Sequence, residues 1–242
     1  MLRTMNHAMT WIACGFAVLV FSAPTVSADA PKPVRLFILS GQSNMVGMDA
    51  DAHFTPKVQA AFPDDEVVVV KHAVNGNLIR MWYKQWEPPA GEKAKGQGKN
   101  GRHYDTLMAR VAEAMQGKPT PTSVTFVWMQ GEADANHAGY GEMYLDALNG
   151  LLRQLQDDLG RRDVDMVVGR ISDYGNEDEA RPGWNLVRAA QVKFAEEDPE
   201  RRAWVDTDDL NGDKNGLHYG KEGYAALGER FADKSIELIR AD

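Results

Sequence analysis

The chain has 242 residues, of which 43% are hydrophobic and 26% charged, values of a globular protein rather than a disordered or fibrous one. Its formal net charge of −8 disfavours nucleic acid and anionic membrane surfaces as partners and points to a small or neutral substrate. The single cysteine, Cys14, lies in the N-terminal segment, so disulfides and thiol catalysis are excluded from the rest of the chain.

Residues 1–28 read as a secretory signal peptide: Arg3 gives a positive start, 11–23 form an apolar run, and Val26-Ser27-Ala28 offers small residues at a cleavage point. The run is shorter than the roughly 20 residues a membrane span needs. Processing would leave a secreted or periplasmic chain with no membrane attachment, its formal charge moving from −8 to −9 because the segment carries Arg3 and no acid. Residues 29–33 form a linker containing Pro31 and Pro33, and residues 34–242 form one domain. That length, about 210 residues, is enough to bury a core that needs no disulfide.

Within the domain, 34–40 form a short apolar run that suits a buried strand, and 66–71 contain four consecutive valines. Residues 123–129 and 164–171 are similar, and 203–206 make a shorter fifth candidate. Continuous β-branched runs, rather than alternating ones, indicate strands covered on both faces. Between them, 105–116, 140–159, 184–197 and 221–240 have helical period; in the last, Tyr224, Leu227, Phe231, Ile236 and Leu238 recur near one face. Strands alternating with helices predict a mainly parallel five-stranded sheet in a three-layer α/β/α sandwich. Residues 87–100, rich in Pro, Gly and Lys, read as a mobile surface loop.

In an open parallel sheet, ligands bind outside the carboxyl ends of the strands, so the residues just after each strand carry the functional signal. The first strand runs into Gly41-Gln42-Ser43-Asn44-Met45, where a glycine turn is followed by a serine whose neighbouring backbone N–H groups could face an oxyanion. By position alone Ser43 could equally be a helix cap. The second strand is followed by Asn75-Gly76-Asn77 and then Trp82, and the third ends in Trp128-Met129-Gln130-Gly131-Glu132-Ala133-Asp134. Late in the chain comes Gly216-Leu217-His218.

These four motifs, in this order across 34–240, resemble the SGNH hydrolase superfamily, in its sialate O-acetylesterase and carbohydrate acetylesterase branch, related to carbohydrate esterase family six. The resemblance implies a flavodoxin-like fold and a serine esterase that removes acyl groups, most often acetyl, from a carbohydrate. It implies Ser43 as nucleophile and His218 as base, and an oxyanion hole of the Ser43 and Gly76 N–H groups with Gln130 as third donor. The pattern departs from the family at the acid: the position three residues before the histidine is Asn215 rather than Asp. An amide orients an imidazole without stabilising its charge, and the corresponding change costs a serine protease about 10⁴ in turnover. Three ways out remain: Glu132 supplies the charge, favoured because it sits beside Gln130; Asp213 reaches in; or the enzyme runs as a Ser-His dyad. Asp134 reads as a brace for the loops around Ser43.

Asn75 and Arg170 are candidates for substrate contact, although Arg170 could instead pair with the acidic segment 173–179. Trp82, Tyr83, Trp86 and Tyr140 could stack on sugar rings or pack locally. His72 reads as a satisfied core residue, with His53, His103 and His137 in loops. The competing function is a carbohydrate-binding pseudoenzyme of the same fold. No HExxH, cysteine ligand or spaced histidine pair suggests a metal, and no cofactor is implied. The sugar, the acyl position and the oligomeric state are left open.

Overall fold

The computed structural model describes residues 1, 32–94, 98–212 and 215–241. The segment read as a signal peptide and Asp213 therefore lie outside the described residues, Met1 excepted. The elements below all belong to the unit Pro31–Asp242.

Five strands, β1 (Val34–Gly41), β2 (Glu66–Ala73), β3 (Ser123–Met129), β4 (Val164–Gly169) and β5 (Arg202–Val205), form one sheet in the order β2-β1-β3-β4-β5. Every pairing is parallel. In β1, Val34, Phe37, Ile38 and Leu39 are completely buried, and β3 and β4 are buried almost throughout, as continuous apolar runs require of strands covered on both faces. The register is level at the carboxyl end, where Gly41 lies opposite both Ala73 and Met129. The chain moves outward from β1 to β2 and then back across to β3, so the direction of winding reverses between β1 and β3. A crevice opens outside the strand ends at such a reversal.

The first connection is more helical than its sequence suggests: α1 (Ser43–Gly47), α2 (Ala50–His53) and α3 (Thr55–Ala61) replace a stretch without clear period. Each is too short to show a face, which is why periodicity missed them. The helix expected over 140–159 is broken into α5 (Ala138–Glu142) and α6 (Tyr144–Leu159), with Met143 between them. The others, α4 (Arg102–Ala114), α7 (Trp184–Glu196) and α8 (Lys221–Ala241), fall close to their predicted spans. On one side of the sheet α2 and α3 pack with α8; on the other, α5 and α6 pack with α7. α8 buries Leu227, Phe231, Ile236 and Leu238. Burying such a side chain stabilises the fold by about 1.5–3 kcal/mol each.

Candidate active site

The turn after β1 is built by Gly41. Its φ of +144° favours glycine, and a Cβ there would sit 1.9 Å from the carbonyl oxygen of Met129. Through this gap the Gln42 N–H donates to that same oxygen at 2.9 Å, which folds the chain across the end of β3 and delivers Ser43 to the first position of α1. His218 arrives from the opposite direction, on the loop between β5 and α8. Ser43 Oγ lies 2.9 Å from His218 Nε2, a hydrogen bond in which the hydroxyl donates when Nε2 is unprotonated.

Both residues open onto a cleft of about 700 Å³, whose wall also includes Gln42, Gly76, Glu132 and Arg181. Gly76 has a φ of +63° and nothing within 4 Å of where a Cβ would be, so the turn conformation, not crowding, calls for glycine there. Among the described residues neither the Ser43 nor the Gly76 N–H meets a hydrogen-bond acceptor. Asn75 also lines the cleft.

Beneath the cleft floor lies a buried polar network. Gln130 is fully buried and does not line the cleft. Its Nε2 faces three acceptors, Asp134 Oδ2 at 2.6 Å, the Asn77 carbonyl at 3.0 Å and Gln42 Oε1 at 3.2 Å, while its Oε1 accepts from the Tyr144 hydroxyl at 2.7 Å. Asp134 Oδ2 also accepts from the Ile79 N–H at 2.9 Å. Asp134 and Gln130 thus grip residues 77 and 79, the far end of the turn that carries Gly76, which agrees with the bracing role read for Asp134. Burial pushes the Asp134 carboxyl up to about 7 despite the hydrogen bonds from Gln130 and Ile79. Glu132, 4% exposed, is also raised by burial, against a 2.7 Å hydrogen bond from Asn44 Nδ2.

The three residues that were candidates to support His218 are placed differently. Glu132 does not touch it; the connection runs through Asn44, whose Nδ2 donates both to Glu132 Oε1 and, at 3.2 Å, to the carbonyl of Leu217. Asn44 Oδ1 in turn accepts from the Tyr224 hydroxyl at 3.3 Å. Asn215 is not brought to His218: with φ +46° its side chain turns away to accept from Asn211 Nδ2, on the rim of a second hollow lined by Asp173 and Asp178. Asp213 lies outside the described residues. Among the described residues, no carboxylate hydrogen-bonds His218, and its link to Glu132 is the indirect one through Asn44.

Arg170 is absent from the cleft wall. Its Nη2 donates to Asp206 at 2.6 Å and Asp208 at 2.7 Å, and its guanidinium lies over Trp204. The expected partners in 173–179 are therefore replaced by acids of the β5 loop. Trp82, Trp86 and Tyr140 are buried, so local packing holds for these three aromatics, and Tyr83 lies against Gly150. His103 belongs to the first turn of α4 and is buried rather than on a loop; its Nε2 and that of His72 lack hydrogen-bond partners, so His72 is not a satisfied core residue. Residues 98–100 of the loop expected to be mobile are tied down: Arg80 Nη1 donates to Gly98 O and Asn100 Oδ1, and Asn100 Nδ2 to Trp86 O.

Sequence reading overlooked Arg181, Asn44 and Tyr224. Arg181 is the one Lys or Arg among the described cleft-lining residues. Its Nε donates to Asp178 at 3.0 Å, its Nη1 to Asn136 at 2.7 Å, and its Cζ lies 5.1 Å from the Tyr174 ring centre. Only its cation amid an acidic stretch could have drawn notice. Asn44 stood in the serine motif without an assigned role, and Tyr224 counted only as part of an apolar helix face.

Residues 46–237 match the family described as carbohydrate esterase, sialic acid-specific acetylesterase. The chain belongs to this family. It is a carboxylic ester hydrolase of the carbohydrate acetylesterase type, and the resemblance to the sialate O-acetylesterase branch holds. The match begins just after Ser43 and takes in Gly76, Gln130, Glu132 and His218. Solved structures share the fold at low identity. A protein of Arabidopsis thaliana aligns at 16% identity with a TM-score of 0.65, over 86% of this chain and 99% of its own. A carbohydrate acetylesterase from Xanthomonas citri aligns at 15% and 0.61, over 87% of this chain but only 57% of its own. NanS aligns at 13% and 0.60, over 88% and 99%. No curated protein matches the sequence. Among the described residues, no helix is long and apolar enough to cross a membrane.

Proposed function

We propose that this esterase is secreted or periplasmic and removes O-acetyl groups from a carbohydrate through an acetyl-enzyme on Ser43. The observation that carries the mechanism is the 2.9 Å approach of Ser43 Oγ to His218 Nε2 at the mouth of the cleft. A serine hydroxyl is a weak nucleophile until a base accepts its proton, and Nε2 is within reach to do so. As Oγ bonds to the acetyl carbon, the carbonyl oxygen becomes an oxyanion that the free N–H groups of Ser43 and Gly76 can receive. His218 then returns the proton to the departing sugar oxygen, and the C–O bond to the sugar breaks. Water attacks the acetyl-Ser43 carbonyl, giving a proton to the same nitrogen; the bond from Ser43 Oγ to the acetyl carbon then breaks, Nε2 returns that proton to Oγ, and acetate leaves.

Asn44 couples the Leu217-His218 segment to Glu132 by position, so the arrangement works as a dyad whose base is held by a backbone tether. A substrate carboxylate, such as that of a sialic acid, would meet Arg181, the cation on the cleft wall. Secretion is supported by the apolar run 11–23 behind Arg3.

Acetate release from a panel of acetylated glycans, neutral and acidic, tests the substrate class. Release from at least one sugar, lost in Ser43→Ala, is expected. Binding of those sugars by a wild-type protein that releases no acetate would favour the pseudoenzyme instead.

A further inference from the structure

The buried network under the cleft leaves one amide donor unspent, and it is not the one the motif resemblance implies. The Gln130 amide has two N–H bonds, and Nε2 already faces three protein acceptors, Asp134, Asn77 and Gln42. It has nothing left to offer a substrate without dismantling its grip on the Gly76 turn.

Gln42 is the complement. It precedes the nucleophile, is 3% exposed and lines the cleft. Its Oε1 accepts from Gln130 Nε2 and from the backbone N–H of Ala133, both at 3.2 Å. A backbone N–H can only donate, so the Ala133 contact fixes which end of the amide is oxygen. Nε2 is then the opposite end. Among the described residues it has no acceptor, yet it is not one of the fully enclosed, unpartnered polar atoms, so it is the part of the side chain that reaches the cleft.

We infer that Gln42, not Gln130, is the third oxyanion donor, its Nε2 meeting the developing charge together with the N–H groups of Ser43 and Gly76. Gln130 and Ala133 act as positioning groups that aim the Gln42 amide. The inference rests on the acetylesterase reading above. Its physical logic is preorganisation: both hydrogen bonds to Oε1 are made before substrate arrives, so the donor needs no rearrangement as charge develops.

The test is steady-state hydrolysis of 4-nitrophenyl acetate by wild type, Gln42→Met and Gln42→Glu, with a crystal structure of the wild-type enzyme phosphonylated on Ser43. Gln42→Met keeps side-chain length and should lower kcat about 100-fold or more with KM changed little, the usual effect of losing one oxyanion donor. Gln42→Glu keeps the acceptor for Ala133 and Gln130, which protects the fold, but presents an oxygen to the oxyanion; its loss should be at least as large. In the adduct, the phosphoryl oxygen should lie within about 3.1 Å of Gln42 Nε2, with Gln130 still on Asp134. A kcat for Gln42→Met or Gln42→Glu within threefold of wild type overturns the inference, as does a phosphoryl oxygen bound by Gln130. If wild type neither hydrolyses the ester nor forms the adduct, the esterase reading falls too, which separates the two failures.

Discussion

The two halves of the site are held in unlike ways. On the Ser43 side the chain leaves a central strand, turns where only glycine fits, and rests on fully buried side chains whose polar atoms are mostly paired with one another. On the His218 side the histidine is exposed, and residues 215–218 are linked to the rest through Asn44 Nδ2 to Leu217 O, Gly216 N–H to Asn211 O and the turn at Asn215. Farther back the same loop is firm, since Arg188 grips Asp208 through both oxygens at 2.7 and 2.9 Å. Ser43 is thus placed by the sheet and His218 by a short tether, so equally mild substitutions should act differently on the two sides.

The tether gives the largest contrast. Asn44→Ala removes the partner of Glu132 and of Leu217 O together, leaving a buried carboxylate oxygen without its donor. Stability should drop by about 1–3 kcal/mol, read from urea unfolding. kcat should fall about 10- to 100-fold through misplacement of the base, an effect of the size small displacements produce. A stability loss with unchanged kcat would show that the base needs no tether.

On the Ser43 side the expected effect is on pH dependence. Burial raises Asp134 to about 7, so between its unfolded value of 3.8 and 7 the folded protein holds a proton that the unfolded chain releases. The stability this group contributes is complete below the unfolded value and is lost as pH rises through the folded one. Asp134→Asn should remove that slope and gain on wild type between pH 4.5 and 7.5 in urea midpoints. Identical slopes in both proteins would mean that Asp134 is ionised in the fold throughout.

Much of this contrast was legible in the sequence on one side only. The strands announced themselves because runs such as Val67 to Val70 leave few alternatives, and β3 starts and ends where its apolar run does. Ser43, Gly76 and His218 were readable because turn glycines and motif order encode where strands end. What escaped was pairing at long range. That Gln130 faces inward and Gln42 outward depends on contacts between residues 88 positions apart, and no local pattern distinguishes two glutamines that each follow a strand. Asn215 misled for a related reason: its place in the motif suggested a partner for His218, whereas its positive φ turns the amide toward Asn211.

That last point gives the smallest predicted effect. Because Asn215 faces Asn211, Asn215→Asp should alter kcat on a small acetyl ester by less than about threefold, against the roughly 10⁴ at stake when a triad acid is exchanged. A rise of tenfold or more would place residue 215 beside His218 after all.

The central claim is that Ser43, activated by His218, is the nucleophile. Its most direct measurement is mass spectrometry of the protein after exposure to a 4-nitrophenyl phosphonate, which traps an activated serine covalently. The account predicts one adduct, on the peptide bearing Ser43, absent in Ser43→Ala and formed far more slowly in His218→Ala. No adduct on Ser43 in the folded wild type, or labelling at the same rate without His218, would contradict it.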